Sequence, residues 1–140
     1  MAIIYDKVHK KNPFDRSTKW YASVKTIKQV DEHEVARLIA DETTLNPYEA
    51  QMAIAQLEKV LLRLLKSGYS VRLGNWASFS VTVSSDGADT PEEVSANLIK
   101  EVHANCRFSP AFRNELQRAK FVSVAKLLGQ SGRTENEGQD

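Results

Sequence analysis

Apolar positions along the chain follow two periods, and the places where the period changes mark the elements. Residues 2–11 and 19–30 alternate. In the second stretch Trp20, Ala22 and Val24 share one face and Tyr21, Ser23 and Lys25 the other, which predicts two strands. The connection NPFDRST carries Pro13, Asp15 and Ser17, residues that favour turns, so the pair reads as an N-terminal β-hairpin with a basic exposed face. From residue 31 the period lengthens. Asp31 with Glu34 three residues on forms a capping box, and Val35, Leu38 and Ile39 make a short amphipathic stripe. The next helix opens at NPYE, where Asn46 caps, Pro47 suits the first helical position and Glu49 completes the box. It runs to about Ser67, where Gly68 supplies the left-handed closing conformation.

That second helix is apolar over much of its circumference. Ala50, Ile54, Leu57, Leu61 and Leu64 form one stripe, and Ala53, Val60, Leu62 and Leu65 widen it beyond a single face. Two sides must be buried, the second against either another subunit or the N-terminal hairpin.

Alternation returns in SGYSVRLGNWASFSVTV. Val71, Leu73, Ala77, Phe79, Val81 and Val83 make an apolar face; Ser70, Arg72, Trp76, Ser78, Ser80 and Thr82 make the other. Gly74-Asn75 between the two runs is a hairpin turn, since Gly tolerates the positive φ that a tight turn demands. TPEE at 90–93 predicts a short capped helical turn. Val102, Ala104, Cys106 and Phe108 alternate with His103, Asn105 and Arg107 as a third strand. Ser109-Pro110 opens a last helix with Phe112, Leu116 and Ala119 inward and Arg113 and Arg118 outward; residues 121–124 extend along the body. From about Gly129 the chain is polar, which predicts a disordered tail.

Composition adds limits. At 140 residues, 41% hydrophobic and 26% charged, the chain fits one globular domain. No apolar run approaches the ~20 residues that span a bilayer. MAIIYDKVHKKN meets charge too early for a signal peptide, and the one cysteine excludes an internal disulfide framework, so a cytoplasmic address is expected. The net charge of +1 hides a mosaic: residues 1–30 carry +5, residues 86–106 carry −4 and residues 107–124 carry +3.

The order helix, helix, hairpin, excursion, strand, helix is similar to that of the HU/integration host factor family. G-Y-S-V-R-L-G-N-W-A-S-F-S-V resembles that family's G-x-x-V-x-L-x-G-F-G-x-F-x-V: Gly68, Val71, Leu73, Phe79 and Val81 occupy their family positions, with Trp76 in the Phe slot. Phe108-Ser109-Pro110 resembles the F-[KR]-P-G that opens the family's closing helix. The resemblance covers about residues 31–118, and the leading K-K-N-P and K-W-Y resemble an HU-like subfamily with an extra N-terminal hairpin. It implies an α+β, HU/IHF-like DNA-binding fold: a hairpin extension over 1–30, an HU-like domain over 31–124 and a disordered tail over 125–140. It further implies a nucleoid-associated homodimer that binds double-stranded DNA with little sequence preference, β-arms in the minor groove and cations on phosphates.

The sequence also departs from the family pattern. Asn75 and Ala77 replace two glycines, and Ser109 takes a basic slot, while Ala111 and Phe112 stand where the family has Gly-Lys. The arm region lacks the R-N-P tip and sets Asp86, Asp89, Glu92, Glu93 and Glu101 against Lys100 alone. An acidic arm repels phosphates, which motivates an alternative: a protein-interaction or assembly module on an HU-like scaffold.

For DNA, the expected floor is the outer sheet face: Arg72, Ser78, Ser80, Thr82, Asn105 and Arg107, with Lys100, Arg113 and Arg118 as phosphate contacts. An ordinary solvated sheet face is the competing reading. Lys7, Lys10, Lys11, Arg16 and Lys19 are secondary phosphate candidates. Trp20 either stacks on a partner or packs in the core. His103 and Cys106 point to opposite faces of a strand, so no metal site is expected, and Cys106 reads as a small buried residue. His33 reads as exposed helix surface. No phosphate-cradling glycine loop or nucleophile elbow occurs. Neither an enzyme, a cofactor, a small-molecule substrate nor a membrane partner is expected.

Overall fold

The computed structural model of the protein describes residues 1–129. The element order is β1 (Ala2–Lys11), β2 (Thr18–Val24), α1 (Glu32–Glu42), α2 (Pro47–Lys66), β3 (Val71–Leu73), β4 (Ala77–Ser85), β5 (Ile99–Phe108), α3 (Pro110–Gln117) and β6 (Lys120–Ser123). Contacts divide it into two compact units, one of Val30–Glu115 and one of Met1–Gln29 with the chain from Leu116 onward.

In the first-named unit the caps act as their chemistry demands. The Asp31 carboxylate accepts from the Glu34 amide at 3.0 Å. Asn46 accepts from the Glu49 amide at 2.9 Å, and the Glu49 carboxylate accepts in return from the Asn46 amide at 3.3 Å. At the far end of α2, Gly68 at φ +86 lets its own amide reach Leu65 and the Tyr69 amide reach Leu64, the paired bonds of a Schellman close. The chain then enters an antiparallel sheet of order β3-β4-β5, with Arg72 opposite Ser78 and Ser78 opposite Arg107. Gly74, at φ +53, makes the β3–β4 turn.

The core of this unit is small. Among the described residues only Ala36, Ala50 and Ala77 are buried, and no large side chain is fully enclosed. Val71, Leu73 and Phe79 are half-buried beside Ala77, but Val81 and Val83, expected in the core, are exposed, as is Leu57 on α2 at 43%. Cys106, expected buried, is exposed too: it sits opposite Phe79 on the same uncovered apolar face.

The other unit holds a sheet of order β2-β1-β6. β1 and β2 are antiparallel, from Tyr5↔Val24 to Lys11↔Thr18. β6 pairs with β1 in parallel, Ala2↔Lys120 to Tyr5↔Ser123. The segment 121–124, expected to run along the body, instead supplies most of a third strand, Lys120–Ser123, before residues 124–129 turn helical. β2 ends at Val24 rather than near residue 30: the β1–β2 ladder stops at Tyr5↔Val24, although β1 itself continues to Ala2. Trp20 does not pack in a core. It is 67% exposed and stacks on His9 at 4.5 Å, its direct cross-strand neighbour. The expected tail lies, from residue 130, outside the described residues.

β5 begins at Ile99, earlier than its clean alternation indicates, because Ser85 pairs with Ile99 across a register shift. Between β4 and β5, Pro91–Glu93 forms a single 3-10 turn, yet Thr90 makes no side-chain cap; Glu93 instead donates its amide to the Thr90 carbonyl.

Candidate nucleic-acid interface

Strand alternation places Arg72, Ser78, Ser80, Thr82, Asn105 and Arg107 on one face of the β3-β4-β5 sheet, as expected, with His103 beside Thr82. The face is ordered by its own polar groups. Asn105 donates its amide to the Thr82 hydroxyl at 3.1 Å. Arg72 donates Nε–H to the Gly74 carbonyl at 3.2 Å and a terminal N–H to Asn75 Oδ1 at 3.3 Å. Guanidinium has five donors, so Arg72 is oriented by two and keeps others for an incoming acceptor. Ser78, Ser80, Thr82, Asn105 and Arg107 line an open concavity of about 660 Å³. At its end, Arg72, Ser78, Arg107 and Arg113 line a second recess of about 340 Å³ with Asn75 and Ser109. No carboxylate lines either one.

Ser109 has a role that its place in a basic family slot hid. Its Oγ–H donates to the Asn75 carbonyl at 2.6 Å, and the same oxygen accepts from the Phe112 amide at 3.2 Å. The Ser109 amide donates to the Trp76 carbonyl at 2.8 Å. One residue thereby caps α3 and ties it to the β3–β4 turn that holds Arg72. The sequence carried the sign of it, a serine before a proline at a helix start. Phe112 completes the joint. Its ring stacks on Phe108 at 4.9 Å and meets Trp76 at 6.4 Å, so the residue in the family's lysine slot is packing that backs the recess.

The remaining expected contacts are placed differently. Lys100 is held by Asp86 at 2.7 Å, so its charge is locally matched. Arg118 belongs to the unit built on β1, not to this face. Lys7, Lys10, Lys11, Arg16 and Lys19 also belong to that unit, all exposed on the β1–β2 hairpin. His33 is exposed beside Glu32. Among the described residues no three His, Cys, Asp or Glu side chains converge as a metal ion would require, and no helix is long and apolar enough to cross a membrane.

Sheet length decides how far the acidic excursion reaches. Glu101 pairs with Ser84 and Arg107 with Ser78, six residues apart along β4 and β5. At ~3.3 Å per residue that is about 20 Å, against a screening length of about 10 Å at 0.1 M salt. The excursion's carboxylates therefore act mainly on the far end of the sheet, and their pull on Arg72 and Arg107 is largely screened.

Capped helices feeding a three-stranded sheet with an open polar and arginine-bearing face make a mixed α+β unit. A family model described as an HU domain fused to a wHTH, Ig or glycine-rich motif matches residues 1–123, and the chain belongs to that HU-like family. Among solved structures, a protein from Bacteroides vulgatus ATCC 8482, provisionally described as a bacterial DNA-binding protein, superposes with a TM-score of 0.58 at 13% identity. The match covers 89% of this chain and 49% of that one, so the chain spans about half that protein's length. Anabaena HU, in a cocrystal with DNA, gives a TM-score of 0.47 at 15% identity over 64% of this chain and 99% of its own. No curated protein matches the chain.

Proposed function

We propose that the protein binds double-stranded DNA as a homodimer, with little sequence preference and in an architectural rather than catalytic role, in the bacterial nucleoid. The observation that carries the reading is the row Arg72–Ser78–Arg107 across three adjacent strands, with Arg113 on the same recess and no carboxylate among its lining. Small hydroxyl side chains let a duplex backbone approach, and guanidinium groups give charge-assisted bonds to phosphate. Membership of the HU-like family agrees with this reading. The homodimer is supported by the uncovered apolar side chains Leu57, Val81 and Val83, where no large side chain among the described residues is fully enclosed. In this reading Lys100, tied to Asp86, and Arg118 are peripheral contacts. The acidic excursion that favours an assembly module lies about two screening lengths from the arginines.

The test is a salt titration of binding to a short mixed-sequence duplex. Arg72, Arg107 and Arg113 from two copies neutralise six phosphates, which predicts a log–log slope of about −5 or steeper between about 50 and 200 mM salt. An intact dimer that leaves the duplex free at about 50 mM salt would falsify the proposal.

A further inference from the structure

Phe14 stands at the tip of the β1–β2 hairpin and is 96% exposed. The turn imposes that exposure. Asn12 donates its amide to the Ser17 carbonyl at 2.7 Å, and Arg16 donates back to the Asn12 carbonyl at 3.0 Å. Asn12 Oδ1 accepts from the Phe14 amide at 3.0 Å, and Asp15 Oδ1 accepts from both the amide and the hydroxyl of Ser17, at 2.9 and 2.6 Å. Arg16 holds the left-handed region at φ +57. A closed network of short-range bonds thus presents an aromatic ring to solvent.

Cations flank that turn along the chain. Lys10 and Lys19 are direct partners in the β1–β2 ladder, with Lys11 beside them and Arg16 in the turn. Like charges placed opposite each other weaken a strand pair unless an anion lies across them. Across residues 1–29 and 116–129 there are ten lysines and arginines against Asp6 and Asp15, a net +8. Both acids are occupied locally, Asp6 by the Lys7 amide and Asp15 by Ser17. An apolar side chain projecting from a narrow basic ribbon is the chemistry that unstacks a base step: the ring enters between neighbouring bases while the cations hold phosphates on either side.

We infer that the leading hairpin is a DNA-bending arm in which Phe14 wedges into a base step and Lys10, Lys11, Arg16 and Lys19 grip the flanking backbone. This rests on the reading that the protein binds duplex DNA, and it adds a second site and a mechanical outcome. The sheet face needs no wedge to bind; the hairpin needs one to bend.

The full chain is tested with a short duplex carrying donor and acceptor dyes at its two ends, read by anisotropy for binding and by energy transfer for bending. The parent binds and raises transfer. Phe14→Ala still binds and loses most of the rise. Lys10→Gln/Lys19→Gln flattens the salt slope by about 2 per chain. Equal transfer with parent and Phe14→Ala overturns the wedge while leaving duplex binding in place, as does a parent that binds without bending. A parent with no anisotropy change at low salt removes the earlier reading and this one together, a result that differs visibly from the first two. Binding to vesicles containing phosphatidylserine that depends on Phe14, with DNA bending unaltered by the substitution, also overturns the proposal and assigns the tip to a lipid surface. Phe14 makes no buried contact, so Phe14→Ala is expected to keep the parent's circular dichroism and melting curve.

Discussion

Over the described residues the unit built on β1 carries ten lysines and arginines against two carboxylates, whereas Val30–Glu115 carries eight against thirteen. Yet the β3-β4-β5 sheet and its arginines lie in the second, at a net −5. The contrast separates net charge from local field. In the acidic unit, carboxylates concentrate on the helices and on the excursion between β4 and β5, while Arg72, Arg107 and Arg113 gather at the opposite end of the sheet. In the basic unit, lysines lie along both faces of a ribbon. The first arrangement positions a few phosphates; the second attracts any polyanion. Steering from a diffuse patch and registration on a focused one are different services, and salt weakens the first sooner.

Charge reversal breaks the comparison most directly. Arg72→Glu/Arg107→Glu removes two charge-assisted contacts, each of about 1.5–3 kcal/mol, and is expected to weaken duplex binding by at least about a hundredfold. Unchanged affinity would move the DNA to the basic unit. The next largest effect concerns the uncovered apolar faces. Leu57→Glu places a charge on the exposed stripe of α2 and is expected to yield monomers in sedimentation velocity, at a cost of about 1.5–3 kcal/mol of burial. The parent should melt at a temperature that rises with protein concentration, and the variant at one that does not. A parent that sediments as a monomer at every concentration would remove the second copy from the account.

How far these features are legible in the sequence differs between the units for a physical reason. Asp31, Asn46, Glu49 and Gly68 act on backbone within a few residues, so their consequences are written locally, and the structure shows each of those bonds. The polar row of the β3-β4-β5 sheet follows from strict alternation. β6 left no such trace: it is four residues long, and its partner in β1 lies more than a hundred residues earlier in the chain. Exposure at Cys106, Val81 and Trp20 was also illegible, since hydrophobicity indicates what should be covered but not whether one copy supplies the cover. Phe14 sat among turn formers, where its ring has no element to pack on; an aromatic residue inside NPFDRST was the available signal.

Ser109 offers a sharper probe of the focused site. Ser109→Ala removes the cap on α3 and the bond to Asn75, for an expected loss of about 1 kcal/mol in thermal or urea unfolding. Because Asn75 also holds Arg72, affinity for DNA should fall a few-fold alongside, and Ser109→Thr should recover both. Lost stability with unaltered binding would mean that Arg72 finds phosphate without help from the turn.

The smallest expected effect lies at the other tip. The hydroxyl and then the amide of Ser17 hold the Asp15 carboxyl below its usual range. A carboxyl whose folded value is depressed contributes above the ordinary aspartate range and loses that contribution as pH falls through the folded value. Asp15 is fully exposed, so the consequence is local order rather than global stability. On acidification the Ser17 amide resonance should shift with a midpoint below that of an ordinary aspartate, while amides of the β3-β4-β5 sheet stay still. Asp15→Asn should abolish that transition at any pH, since no carboxylate remains to titrate. Phe14 adjoins this carboxylate, so a variant that disorders the turn without touching the ring separates having an aromatic from aiming it. If Asp15→Asn bends DNA as the parent does, the turn's bonds are not what directs the ring.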